Sequence, residues 1–135
     1  MAEAEGLKLS FAAPDKIAPE TLEVFPYILP ELKTGRIPDQ LVTYTTKEFS
    51  AVCPFSGLPD TATVTIEYVP AKKVLELKSL KYYFLSYRNV GIYQEHATQK
   101  IFADLQKILR PQKLKVTTIY NTRGGIDTTC VIEKT

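Results

Sequence analysis

A cysteine and an aspartate lie seven positions apart in a segment rich in proline and glycine, Cys53-Pro-Phe-Ser-Gly-Leu-Pro-Asp60. This composition is typical of a shaped loop, in which backbone amides can point inward and a thiol can meet a ligand. A thiol and a carboxyl group that flank one pocket could supply a nucleophile and a proton carrier. The competing interpretations are a buried small side chain for Cys53 and a turn cap for Asp60.

Three cations follow at offsets of 3 and 7, which places Lys78, Lys81 and Arg88 along one stripe of a predicted helix. Ser79 and Ser86 add hydroxyl donors, and together these groups would suit the phosphates of a dinucleotide. The competing interpretation is a solvated helix face beside an apolar one. No Gly-x-Gly-x-x-Gly motif follows a strand, which excludes a Rossmann-type cradle as the explanation.

Glu95 and His96 open a second predicted helix. A carboxylate there could accept two N–H bonds from the edge of a guanine-like base, although an acid in a first helical turn is also favoured by the helix dipole. His96 is the only histidine, and one imidazole supports neither a metal site nor a nucleophilic triad. The sequence therefore predicts no metal.

The elements that position these residues follow from the hydrophobic pattern. Extended strands are predicted over 41–50 and 61–69, joined as a hairpin by the Cys53 loop, and two more strands over 114–120 and 126–132. Apolar residues at helical spacing predict helices over 78–89 and 94–109. Arg123-Gly124-Gly125 is most simply a hairpin turn, and Cys130 in the last strand is expected to be structural.

The resulting order, ββααββ, predicts an α+β domain in which two helices cover one face of a four-stranded antiparallel sheet. Both edges of that sheet would be unpaired in a monomer, and open edges attract partners. We therefore expect the sheets of identical subunits to close into a ring, with sites between neighbours. Seven of the nine prolines precede residue 60, so residues 1–39 are expected to form a mostly irregular arm beside a catalytic domain at 40–135.

Composition narrows the functional classes. The chain has 135 residues, which fits one domain, and its net charge of +2 argues against nucleic-acid binding driven by bulk charge. Its longest uncharged stretch, 49–59, is too short for a membrane helix, and its acidic N-terminus does not resemble a secretory signal. We expect a cytosolic protein whose two cysteines are thiols.

The motifs together carry a resemblance. The stretch Glu76-Leu-Lys-Ser-Leu-Lys-Tyr-Tyr-Phe-Leu-Ser-Tyr-Arg88 closely resembles the first-helix signature of the NADPH-dependent 7-cyano-7-deazaguanine reductases. The similarity extends to Cys53-Pro-x-Ser-Gly-x-Pro-Asp60, to Gln94-Glu95 and to Arg123-Gly-Gly-Ile126, with the motifs in the same order. It covers roughly residues 40–127.

The resemblance implies the tunnelling fold and a decamer of two stacked rings, with active sites between subunits. It also implies that the protein reduces 7-cyano-7-deazaguanine to its aminomethyl product in queuosine biosynthesis, with two NADPH per turnover. Cys53 would form a covalent thioimide with the nitrile, and Asp60 would act as general acid. The remaining implied contacts are Glu95 with Gln94, Glu76 and the backbone of Leu75 and Leu77 for the deazaguanine, and Lys78, Lys81 and Arg88 for the cofactor phosphates.

One departure from the family pattern concerns the residue before the substrate-binding glutamate. Members of the family usually carry histidine there, whereas this chain has Gln94, with His96 two positions later. A glutamine amide can hydrogen-bond a base but cannot titrate near neutrality. Two alternatives stay open: an amidinotransferase-type relative that resolves the same thioimide with ammonia on a tRNA-borne nitrile, and a non-enzymatic ring that binds a purine or pterin.

Overall fold

The computed structural model describes residues 9–135 as a sheet covered on one face by two helices. In chain order, the elements are 3₁₀ turns at Pro14–Lys16 and Pro19–Thr21, β1 (Val24–Pro26), β2 (Val42–Val52), β3 (Pro59–Val69), β4 (Lys73–Leu75), α1 (Leu77–Leu85), α2 (Gln94–Leu109), β5 (Lys113–Arg123) and β6 (Ile126–Lys134). Strands β2, β3, β5 and β6 form an antiparallel sheet in the order β2-β3-β5-β6, and β1 pairs separately with β4.

The core lies between the helices and the inner face of the sheet. Alternation along β3 buries Val64, Ile66 and Tyr68 completely, as its period of two predicted. On α2, the apolar stripe that includes Ile101 and Leu105 covers this face. The α+β class and the predicted hairpin around the Cys53 loop are confirmed. No helix among residues 9–135 is long and apolar enough to cross a membrane.

The first helix ends earlier than predicted, at Leu85 instead of residue 89. The chain tightens into i→i−3 bonds at that point, since Tyr87 and Arg88 donate to the carbonyls three residues before them. The Ser86 hydroxyl also donates to the Tyr83 carbonyl (2.6 Å), and such side-chain bonds compete with the helical ladder. Arg88 therefore lies in a turn, outside the helical stripe to which the sequence assigned it.

The segment before β2 packs on the helical side of the molecule. Ile17 and Leu22 are buried in the core, and the short strands β1 and β4 were missed because three-residue strands show no readable periodicity. Ser79 accepts a hydrogen bond from the Glu23 amide (2.9 Å), and Ser86 accepts one from the Ala18 amide (3.0 Å). The two hydroxyls predicted to face a phosphate thus fasten this segment to α1. The division into an arm and a catalytic domain stays a prediction.

A buried network of tyrosines joins the two helices. The Tyr83 hydroxyl donates to the Asp104 carboxylate (2.6 Å) and lies 2.7 Å from the Tyr87 hydroxyl. Lys100 forms an ion pair with the same carboxylate (2.9 Å). Burial raises the pKa of both Tyr83 and Tyr87, so both phenols stay protonated and able to donate.

We expect Tyr83→Phe to lower the free energy of unfolding by about 1–3 kcal/mol, because the buried Tyr87 hydroxyl loses its partner and the partly buried Asp104 carboxylate keeps only Lys100. Urea unfolding followed by circular dichroism measures the loss. The matched control is Tyr82→Phe, since Tyr82 lies on the same helix with 52% of its surface exposed. Equal midpoints for both variants would contradict the network's contribution.

Candidate active site

A β-bulge decides which face of the sheet Cys53 occupies. The pairing of β2 with β3 shifts by one residue between Thr46 and Phe49. One extra residue reverses the alternation of side chains along β2. Even-numbered residues face the core before the bulge, and Phe49 and Ala51 face it after the bulge. Cys53 comes next in this series, and Ala51 pairs with Asp60 on β3. The bulge thereby brings the thiol to the face that carries the carboxyl group.

A second bulge, between β5 and β6, places Arg123 on the inner face of the sheet. The pairing of β5 with β6 shifts between Tyr120 and Arg123, just before a turn in which Gly124 and Gly125 have φ angles of 57° and 76°. Arg123 is thus moved to the parity of Tyr120, on the inner face. Its Nη1 atom donates to Oδ1 of Asp60 at 2.6 Å.

The Asp60 carboxyl group is almost completely buried. It is 4% exposed, whereas the side chain of Arg123 is 43% exposed and reaches the carboxylate from the solvent side. A buried carboxylate needs a cation or several donors, because desolvation otherwise disfavours its charge. The carboxylate in turn raises the pKa of Arg123, which holds the guanidinium charged. Oδ2 of Asp60 has no hydrogen-bond partner among the described residues.

The loop after β2 directs donors at the Cys53 sulfur. The backbone N–H of Ser56 is the main cause that lowers the pKa of Cys53, and the Ser56 hydroxyl, the Phe55 amide and the Arg123 guanidinium act in the same direction against partial burial. Gly57 closes the loop with φ 72°, and its amide donates to the Cys53 carbonyl (2.7 Å). The loop favours the thiolate, which is the nucleophilic form of cysteine.

Thiol and carboxyl group share one cavity of about 440 Å³. The start of α2 forms its opposite wall and places Gln94 and Glu95 in the lining. His96, by contrast, lies against Tyr93 in a neighbouring cleft and does not line this cavity. The full lining is Cys53, Asp60, Tyr93, Gln94, Glu95, Arg123, Gly124, Ile126 and Thr128.

Arg123 is the cavity residue that the sequence analysis missed as a functional group. The sequence indicates a hairpin turn at Arg123 and a family motif, Arg123-Gly-Gly-Ile126, but no role for its guanidinium, and the turn is observed. The available signal was a cation directly before Gly-Gly at the end of a strand. Its pairing with Asp60, 63 positions earlier, depends on strand order and on the bulge, neither of which short-range sequence patterns reveal.

The other predicted site residues lie elsewhere on this chain. Glu76, Leu77, Lys78 and Lys81 line a mostly apolar groove of about 520 Å³ between β2 and α1. Leu75 is buried in β4, while Arg88 lines neither this groove nor the Cys53 cavity. The structure therefore divides the predicted site into two separate surfaces.

The groove has its own electrostatic character. The Glu76 carboxylate caps α1 by accepting bonds from the amides of Lys78 (2.9 Å) and Ser79 (2.7 Å), and these bonds lower the pKa of Glu76. The Leu75 amide is likewise engaged, since it donates to the Tyr68 hydroxyl (3.0 Å). Within residues 9–135, neither Lys78 nor Lys81 forms an ion pair.

The fold and the site define a tunnelling-fold protein with an activated thiol beside a buried carboxyl group. The family model for QueF-like proteins matches residues 59–135. A relative from Thermotoga petrophila, named NADPH-dependent 7-cyano-7-deazaguanine reductase, is 51% identical over 96% of this chain and 89% of its own length. A relative of the same name from Caldicellulosiruptor bescii is 53% identical over 87% of this chain and 85% of its own.

A solved structure supports membership of the same family. The archaeosine synthase QueF-Like in its apo form superposes with a TM-score of 0.64 at 29% identity, over 69% of this chain and 91% of that one. The chain belongs to the QueF-like family, as the motifs predicted.

We expect Arg123→Gln to raise the pKa of the Cys53 thiol without restoring its ordinary value, because the Ser56 amide, the larger cause, remains. The pH dependence of iodoacetamide alkylation measures this, in a Cys130→Ser background that leaves Cys53 as the only thiol. Arg36→Gln, which removes an exposed ion pair with Asp39, is the matched control. An inflection that stays in place or moves to lower pH would contradict the assigned role of Arg123.

Proposed function

We propose that this protein is an NADPH-dependent 7-cyano-7-deazaguanine reductase, which converts the nitrile of its substrate to an aminomethyl group in the queuosine pathway. The observation that carries the proposal is the activated Cys53 thiol in one cavity with the buried Asp60 carboxyl group. The names of relatives that are about half identical support the same reaction.

The first step requires both groups. A nitrile carbon is a weak electrophile, and attack by the Cys53 thiolate forms a C–S bond while one C–N π bond breaks toward nitrogen. Asp60 carries the thiol proton to that nitrogen, which gives a neutral thioimide. Arg123 occupies Oδ1 of the carboxyl group and leaves Oδ2 for proton transfer.

The start of α2 supplies the means to hold the base. Glu95 carries a carboxylate that can accept two N–H bonds from a guanine-like edge, and Gln94 can donate and accept beside it. The cavity volume lies within the range typical of small-molecule sites. We assign Glu95 and Gln94 to the deazaguanine.

The groove beside α1 has the residues to hold the cofactor. Lys78 and Lys81 lie one helical turn apart in a mostly apolar lining that also includes Glu48 and Glu76. The two ammonium groups suit the phosphates of a dinucleotide, and the apolar part of the lining suits its rings. Bound there, NADPH would supply hydride, and reduction of a nitrile to an amine takes four electrons and therefore two NADPH. Glu76 and Leu77 border this groove, so we assign them to its junction with the substrate.

The separation of the two surfaces leads to a site shared between subunits. Strands β2 and β6 are the edges of the four-stranded sheet, and both can extend it into a neighbouring chain. A ring built through these edges would bring the cavity of one subunit to the groove of the next. This arrangement accounts for family motifs that lie on different surfaces of one chain.

The amidinotransferase alternative has one supporting observation, the name of the archaeosine synthase whose structure this chain resembles. That protein is 29% identical, whereas the reductases are 51–53% identical over more of the chain. A reductase also gives Lys78 and Lys81 a ligand, while a transferase has no dinucleotide to bind. Consumption of NADPH with the free base separates the two functions.

We expect Cys53→Ala to abolish both the thioimide absorbance with 7-cyano-7-deazaguanine and the oxidation of NADPH, because Cys53 is the only thiol among the described residues that line the cavity. Asp60→Asn should slow both by about a hundredfold or more, the usual contribution of a general acid. Cys130→Ser is the control and should retain activity. Turnover by Cys53→Ala would refute the covalent mechanism, and adduct without NADPH oxidation in the unmodified protein would refute the reductase.

We expect two inactive variants to complement each other. When Cys53→Ala is mixed with the double variant Lys78→Ala/Lys81→Ala and the subunits are reassembled from denaturant, about a quarter of shared sites would have both halves intact. Mixing either variant with itself is the control and should give no recovery. NADPH oxidation measures the outcome, and no recovery in the mixture would contradict a site formed between neighbours.

A further inference from the structure

A buried hydroxyl group beneath the Cys53 cavity has no partner. Tyr120 lies near the end of β5 and is 4% exposed. Its hydroxyl oxygen is closed off from solvent and forms no hydrogen bond with any residue between 9 and 135. An unpaired buried hydroxyl is costly, and buried polar groups that lack a partner in a native protein usually have a functional reason.

The strand register places this hydroxyl beside the site. Tyr120 pairs with Ala62 on β3 and with Thr128 on β6. Asp60 is two residues from Ala62 on the same face, which makes it a diagonal neighbour of Tyr120, and aromatic side chains reach diagonal neighbours. Thr128 lines the Cys53 cavity. The Tyr120 ring therefore lies under the cavity floor, next to the strand that carries Asp60.

Four titratable groups lie around Tyr120: Cys130 on β6, Asp60 on β3, Glu95 on α2 and Tyr87 just after α1. Burial is the main cause that raises the pKa of Tyr120, and Cys130, Asp60 and Glu95 add to it. The phenol therefore keeps its proton and can serve as a hydrogen-bond donor to a carboxylate.

Asp60 is the group that needs such a donor. Arg123 holds only Oδ1, and it does so from a side chain that is 43% exposed. The terminal torsion of an aspartate is broad, so a single anchor leaves the plane of the carboxyl group free to turn. Proton transfer from Cys53 to the nitrile nitrogen requires that plane to be fixed.

We propose that Tyr120 is a positioning residue, whose hydroxyl donates to the Asp60 oxygen that Arg123 leaves free and fixes the carboxyl plane when substrate fills the cavity. This inference rests on the proposed function, because it assigns a role in thioimide formation. The oxygen has two lone pairs, so one can accept from Tyr120 while the other faces Cys53. In the free protein the Tyr120 hydroxyl forms no hydrogen bond with the described residues. Its bond to Asp60 would form when substrate fills the cavity.

The test is Tyr120→Phe, which removes one oxygen and keeps the ring. Stopped-flow absorbance follows thioimide formation with 7-cyano-7-deazaguanine in the absence of NADPH. We expect the limiting rate constant to fall about tenfold, the effect of one lost hydrogen bond to a charged group, while the half-saturating concentration stays unchanged. Thermal unfolding should show a Tm no lower than that of the unmodified protein, since the lost hydroxyl had no partner.

Tyr87→Phe is the matched control, because it also removes a buried hydroxyl, but one that is bonded to Tyr83. It should lower the Tm and leave adduct formation unchanged. An unchanged limiting rate in Tyr120→Phe, a higher half-saturating concentration instead of a slower step, or a Tm lowered as in Tyr87→Phe would each overturn the proposal. If the unmodified protein forms no thioimide, the proposed function itself fails, which is distinguishable from a failure confined to Tyr120.

Discussion

The ion pair between Arg123 and buried Asp60 is the interaction on which the site depends. A carboxylate that is 4% exposed is costly to bury without a close cation, and Arg123 supplies that cation at 2.6 Å. The β5–β6 hairpin positions this cation. Its bulge turns Arg123 inward, and its two glycines adopt the left-handed backbone that the tight turn requires. The same guanidinium also favours the Cys53 thiolate, so one cation prepares both reacting groups.

Several polar side chains of the predicted site also hold the fold together. The hydroxyls of Ser79 and Ser86 bind the segment before β2, and the Glu76 carboxylate caps α1. These bonds satisfy amide groups that would otherwise be unpaired at the start of a helix and in irregular chain. On α1, Lys78 and Lys81 are then the charged donors that can reach a ligand. Specificity of the groove for a dinucleotide would come from these two lysines and from its mostly apolar lining.

The two surfaces on one chain connect the chemistry of the site to assembly. A cavity with nucleophile, proton carrier and base-binding groups is separate from a groove with unpaired cations, and the edge strands β2 and β6 remain available for pairing. A shared site would make catalysis conditional on assembly. A shared site would also spare a chain of 135 residues from forming a closed pocket for two ligands on its own, which is difficult when one small core must supply every wall.

The sequence by itself determined the hairpin, both helices and the Cys53–Asp60 loop, because these depend on local period, proline and glycine content and short spacing. It also indicated Glu95, since a helix start is a local signal, whereas Gln94 entered through the family resemblance. Only the tertiary structure decided which face Cys53 and Arg123 occupy, because one extra residue in a strand reverses the alternation and no short motif marks it. The pairing of Arg123 with Asp60 and the unpaired Tyr120 hydroxyl are likewise long-range. They depend on contacts between strands that are far apart in the sequence, and short-range sequence patterns do not predict such contacts.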